Sequence, residues 1–169
     1  MNVSGAMRSG LYRVLAILGA CLASPWAAWH QGRIRKNGRV LTDDELGLAD
    51  ALGVSDPEQV LICVTPRVPN PLQPLFCLAD HCGFSCLTEA VGITLGLGIY
   101  ITVDSADSVE LIAHELVHVV QYQRAGSIWA FMVEYIHQCL MTGYYDAEWE
   151  VEARRVSTEV LGTYLVCRR

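Results

Sequence analysis

The stretch His114-Glu115-Leu116-Val117-His118 constrains this chain more than any other. In an α-helix, residues four apart differ by only about 40° around the axis and lie about one turn apart. Both imidazoles therefore leave one face at neighbouring levels, close enough to hold a single metal ion. Glu115, next to His114, can reach a water at that ion. Imidazole suits zinc, and a catalytic zinc keeps three protein ligands and one open position. The chain must fold so that a third ligand reaches the two histidines from elsewhere.

The motif sits in a run with helical punctuation. Asp104, Ser105, Asp107 and Ser108 offer capping side chains upstream, and Asp107 with Glu110 has the spacing of a capping box. Ile112, Leu116 and Val119 form an apolar stripe, and Gly126 supplies a stop. Towards the C-terminus, Ser127 to Met141 reads as a very apolar helix closed by Gly143, with His137 as a packing residue. A further helix runs from Asp146, its expected cap, towards Val166. That last helix carries three carboxylates, Glu148, Glu150 and Glu152, any one of which could cross over to the histidines.

Upstream, Thr42 and Glu45 form a capping box that opens a short helix ending near Gly53. Residues 59 to 65, with Val60-Leu61-Ile62-Cys63-Val64, are β-branched and too short for a helix, so they are expected to form a strand. Residues 90 to 103 predict two short strands with glycines at the bend. Ile99, Ile101 and Val103 alternate with Tyr100 and Thr102 as in a half-buried strand, whose free edge could receive an extended peptide. The fold class is therefore α+β: a small, partly antiparallel sheet from residues near 60–64 and 92–103, covered by three main helices.

A chain of 169 residues with 52% hydrophobic and 18% charged residues forms a packed domain, not a disordered chain. Its net charge of −6 gives no electrostatic case for nucleic acid. The division expected is an apolar N-terminal segment, 1–29, followed by a domain from 30 to 169. In that segment Arg8 and Arg13 precede Val14–Ala23, a stretch with the length of a signal-peptide core, and Leu18-Gly19-Ala20-Cys21 is similar to a lipoprotein cleavage box. Leu11, Leu15, Leu18 and Leu22 fit an amphipathic helix on a membrane surface equally well. Gly32 to Gly38 is expected to be a charged turn.

Prolines 66, 69, 71 and 74 make a loop leading to Cys77, His81, Cys82 and Cys86. Their spacing matches no structural zinc knuckle, so they read as free thiols. Seven cysteines with no regular framework favour a reducing, cytoplasmic compartment over a disulfide scaffold, with export or membrane association the competing reading.

With these motifs in place, the chain resembles the gluzincin metallopeptidases in minimal form, in which H-E-x-x-H is followed on a later helix by a ligand Glu, often in a Glu-Ala pair. His114 to Arg124 (HELVHVVQYQR) with Glu150 to Arg154 (EVEAR) is similar to small bacterial proteins carrying HELxHVxQ and a later ExEA. The layout extends over roughly residues 40 to 165, but only the two motifs are specific. The resemblance implies a zincin-like metallopeptidase domain with zinc on His114, His118 and Glu152, the residue before Ala153, and with Glu150 in reserve. It implies peptide or protein substrates and Glu115 as general base. Two features depart from the pattern: Ala147-Glu148 stands where many relatives have a proline-containing turn, and Val156 where larger enzymes have an Asp. Tyr122, Tyr135, His137, Tyr144 and Tyr145 are the candidates for stabilising an oxyanion. The alternative implied is a zincin-fold module that binds without cleaving, as in related domains of bacterial effector-delivery proteins.

Overall fold

The computed structural model describes residues 3–70 and 90–167. Within them the order is α1 (Val3–Asn37), β1 (Arg39–Val40), α2 (Asp43–Leu52), β2 (Leu61–Thr65), β3 (Gly92–Leu95), β4 (Gly98–Thr102), α3 (Val109–Ala125), α4 (Ile128–Thr142) and α5 (Glu148–Cys167). Short 3-10 turns at Pro57–Gln59 and Val103–Ser105 lead into β2 and towards α3. The fold is α+β, as the sequence predicts. Cys77, His81, Cys82 and Cys86 lie outside the described residues.

Local chemistry explains most element boundaries. Thr42 and Glu45 close the expected capping box in both directions, and Gly53 ends α2 in the left-handed conformation at φ 85°. Ser108, rather than Asp107, caps α3 by accepting the Leu111 N–H, and Gly126 ends it at φ 78°. Ser127 caps α4 through the Ala130 N–H. α5 begins at Glu148, two residues after the cap expected at Asp146.

The strand order is β1-β2-β4-β3, with β2 parallel to β4 and the two outer pairings antiparallel. Strand β1 is too short to show a periodicity. Gly96, at φ 68°, makes the bend between β3 and β4. Ile62, Ile99 and Ile101 share one core with α2, α3 and α5. On the opposite face, Tyr100 and Leu95 join α1 and α4 in a second core. Strand β4 is therefore covered on both faces, where a half-buried strand was expected, because α1 lies across it.

Helix α1 runs unbroken past residue 29 to Asn37, so Gly32–Asn37 is helical, not a turn. Its small residues Ala16, Ala20 and Ala27, together with Ile34, are fully buried. Gly19 faces Ile136 of α4, and Gly98 lets β4 approach Ile34, where a Cβ would come within 2.7 Å of Ile34 Cδ1. His30 Nδ1 lies 3.2 Å from the Tyr100 hydroxyl. The second half of α1 is thus part of the core that supports the sheet.

Candidate metal centre

Helix α3 buries Ile112, Ala113, Leu116 and Val119 against the sheet and α2. That packing fixes its rotation and turns His114 and His118 towards α4 and α5. The two Nε2 atoms are 3.1 Å apart. Glu150, from the first turn of α5, completes the group: its Oε2 is 3.5 Å from His114 Nε2 and its Oε1 is 3.4 Å from His118 Nε2. Ligand atoms from these three residues all lie within 4.8 Å of one another.

The donor set fits a small divalent cation. Tetrahedral bonds of about 2.0–2.1 Å would space ligand atoms about 3.3–3.4 Å apart, and the three separations here straddle that value. Two imidazole nitrogens, which are borderline donors, with one harder carboxylate oxygen make a set that zinc accepts. The Glu150 side chain is only 2% exposed. Burial alone would disfavour its charge, but hydrogen bonds from both histidines outweigh that and hold its pKa well below the usual carboxylate range. At His118 burial opposes protonation, while the Glu150 contact and the charges of Glu115 and Glu150 raise its pKa. A negative carboxylate facing two ring nitrogens can be neutralised by a proton on the imidazoles or by a cation held between the three groups.

Gln121, fully buried on α3, sets the tautomer of one imidazole. Its Nε2 donates to the Trp149 carbonyl at 2.9 Å and to Glu152 Oε2 at 2.8 Å. Its carbonyl oxygen therefore faces His118 Nδ1, 2.7 Å away, and that nitrogen must carry the proton. In the neutral ring, the form that ligates a metal, the lone pair is then left on Nε2, which points at the site. Because Trp149 precedes Glu150, the same amide ties the histidine helix to the turn that presents the Glu150 carboxylate. This is the outer support that histidine ligands commonly have.

Glu115 lies against β3. Thr94 Oγ1 hydrogen-bonds to its Oε2 at 2.7 Å and to its backbone carbonyl at 2.9 Å. Gly92 leaves the space the carboxylate occupies, since a Cβ there would sit 2.6 Å from Glu115 Oε1. Burial raises the Glu115 pKa, against the pull of His118 and the Thr94 bond, which makes it a stronger base than an exposed glutamate.

Of the aromatic candidates, Tyr135 donates to Glu150 Oε1 at 2.6 Å and so supports the third carboxylate. Tyr144 is half exposed, but burial of its hydroxyl and the nearby Glu150 charge raise its pKa and keep it protonated. Tyr122 stacks on Phe131 in the core. Tyr145 is exposed beneath the Arg154 guanidinium. His137 Nε2 is buried without a hydrogen-bond partner.

The structure does not bring Glu152 to the histidines. Both of its oxygens are held by Arg124, at 2.9 and 2.7 Å, and Gln121 donates to one of them. Residues two apart on a helix point about 200° apart, so Glu150 and Glu152 cannot both face the site. The rotation of α5 is fixed by buried Ala153, Ser157 and Leu161, and Glu150 continues that stripe while Glu152 leaves it. Glu148 is exposed. The carboxylate that the structure brings to the histidines is thus Glu150, two positions before the expected Glu152. In the sequence the apolar run Trp149, Ala153, Val156 and Val160 lies about midway between the two glutamates, so burial in the fold, not periodicity, separates them. Gln121, three residues after His118, was legible as a neighbour on the same face. Thr94 and Gly92 had no such signal, because only the fold brings β3 to α3.

A family model described as the eCIS core domain matches residues 87–126, which include β3, β4 and all of α3. That family is associated with zincin-like metallopeptidase-type sequences. No significant match to the chain is found among curated proteins or among solved structures. The matched segment holds His114, Glu115, His118, Gln121, Thr94 and Gly92, so every element of the site except the Glu150 turn and Tyr135 falls within it.

Proposed function

We propose that this chain is a zinc-dependent hydrolase that cleaves peptide bonds, with His114, His118 and Glu150 as the metal ligands and Glu115 as the general base. The observation that carries this reading is the convergence of three buried donor groups beside a buried carboxylate that is not one of them. When bound, zinc polarises a carbonyl and lowers the pKa of water at its open position. Glu115, held by Thr94 and made more basic by burial, takes a proton from the attacking water and passes it to the leaving amine. Tyr135 and Gln121 keep the Glu150 carboxylate and the His118 ring in place throughout. Tyr144, protonated and close to Glu150, is the group best situated to donate to an oxyanion.

A peptide substrate is supported by the sheet. Strand β4, expected to offer a free edge, lies between β2 and β3; among the described residues β3 is at the end of the sheet, paired on one side to β4, and it also carries the Glu115 contacts. An extended peptide added along its other edge would run past the general base.

The test compares zinc content and hydrolysis of a broad peptide library for the wild type and Glu115→Gln. Glu115→Gln should keep one zinc per chain and lose about 10²–10⁴ in rate, the usual contribution of a general base. A wild type that binds zinc stoichiometrically yet cleaves no faster than Glu115→Gln would transfer the reading to the non-catalytic module.

A further inference from the structure

Helix α1 is apolar on two opposite faces for two different reasons. Its inner face consists of Ala16, Ala20, Ala27 and Ile34 and is buried in the domain. Its outer face carries Leu11, Val14, Leu15, Leu18, Leu22 and Trp29, all at least 40% exposed, with Leu22 at 81%. At 100° per residue these six lie within about 60° of one direction, opposite the alanines. The stripe from Leu11 to Trp29 is about 27 Å long. By length and composition α1 could also cross a membrane, with a mean hydropathy of 1.4 over its most apolar window. A helix apolar all round is stable only in a core or in contact with lipid, and among the described residues this one has a core on one side only.

Charge selects the occupant. Helix α1 contains Arg8, Arg13, Arg33, Arg35 and Lys36 and no acidic residue. The other seven basic residues of the chain face all eighteen acidic ones, a net of −11 outside α1. Arg8, Arg33 and Lys36 fall near the outer face at its two ends, and the Arg33 guanidinium lies 5.1 Å from the Trp29 ring centroid. An apolar stripe with an aromatic residue and cations at its ends matches the boundary between headgroups and acyl chains. A second copy of the chain fits poorly. Parallel pairing would set Arg8 against Arg8 and Lys36 against Lys36, antiparallel pairing would set Arg8 against Arg33, and α1 has no acid to relieve either.

We infer that the outer face of α1 docks the protein flat on an anionic lipid surface, with Leu11, Leu15, Leu18, Leu22 and Trp29 in the acyl boundary and Arg8, Arg33 and Lys36 on the headgroups. The helix lies on the bilayer instead of crossing it, because Ala20, Ala27 and Ile34 hold it to the domain. The docking does not depend on the hydrolase reading.

Flotation of the full chain with vesicles of phosphatidylcholine, with and without phosphatidylglycerol, tests this. The wild type should float with anionic vesicles, and less so with neutral ones or at high salt. Leu18→Glu with Leu22→Glu should lower binding about tenfold or more with the melting temperature unchanged, since both side chains are exposed. Arg33→Glu with Lys36→Glu gives an independent arm, expected to abolish the preference for anionic vesicles. The proposal is overturned if the wild type stays in solution with anionic vesicles, or if a folded Leu18→Glu, Leu22→Glu variant binds like the wild type. A lipid preference that survives Arg33→Glu with Lys36→Glu also overturns it. So does sedimentation equilibrium showing a lipid-free dimer that the leucine substitutions dissociate, which would assign the face to a second copy.

Discussion

Replacing Glu150 by Gln should weaken zinc binding far more than the same change at Glu152, although only two positions separate them. Protein zinc sites bind with roughly 10–16 kcal/mol in total, so one ligand of four is worth about 2.5–4 kcal/mol. At 1.4 kcal/mol per decade, losing the charge at Glu150 should cost about 10²–10³ in affinity. The apo fold should survive, because glutamine has nearly the same shape and its carbonyl can still accept the Tyr135 hydroxyl that now reaches Glu150 at 2.6 Å. Glu152 is different. Its partner Arg124 is 52% exposed and its own side chain 26%, so their pair is worth at most about 1 kcal/mol of stability. Gln121 keeps its bond to the Trp149 carbonyl in either variant. Zinc affinity of Glu152→Gln should therefore stay within about threefold of the wild type. Competition against a chromophoric chelator reads both affinities, and circular dichroism of the apo proteins checks the fold. If Glu152→Gln loses zinc while Glu150→Gln keeps it, the assignment of the third ligand is refuted.

Gln121→Leu should lower zinc affinity by roughly 10–100-fold while leaving all three ligands in place, since nothing then fixes the His118 tautomer or ties α3 to the Glu150 turn; the same chelator assay reads it. Gly92→Ala should retain zinc but slow hydrolysis by roughly 10–10²-fold, because the new methyl displaces the Glu115 carboxylate. Arg39→Ala should destabilise the fold at neutral pH in a way that vanishes in acid. Burial works against ionised Glu45, but the Arg39 bonds at 2.6 and 2.7 Å and the Thr42 N–H outweigh it and lower its pKa. A lowered pKa contributes stability above the ordinary value of 4.5 and loses it as pH falls through the folded value, so the melting-temperature gap between wild type and Arg39→Ala should close below about pH 4.5.

What the sequence determined by itself was most of what is governed by short range, although the turn expected at Gly32 to Gly38 and the cap expected at Asp107 were not found. The H-E-x-x-H spacing places two imidazoles on one face wherever that stretch is helical. Thr42 with Glu45, Ser108, Ser127 and the glycines at 53, 126 and 143 set helix ends through bonds a few residues apart. The strands at 61–65 and 92–102 follow from β-branched runs bounded by turns. The family resemblance pointed to the helix whose carboxylate meets the histidines, but through the Glu-Ala pair it favoured Glu152, whereas the buried face through Ala153, Ser157 and Leu161 carries Glu150.

Only the tertiary structure decided the contacts between segments distant in the chain. Arg124 captures Glu152 because α3 and α5 pack side by side, which leaves the buried position to Glu150. Thr94 and Gly92 reach Glu115 because the sheet lays β3 along α3. The role of α1 is the clearest case. Its leucines repeat at helical spacing, but alanines fill the opposite face, so apolarity alone does not say which face the domain takes. Size does: the alanines fit against α4 and β4 where backbones approach closely, and the leucines, too large for that seam, are left outside.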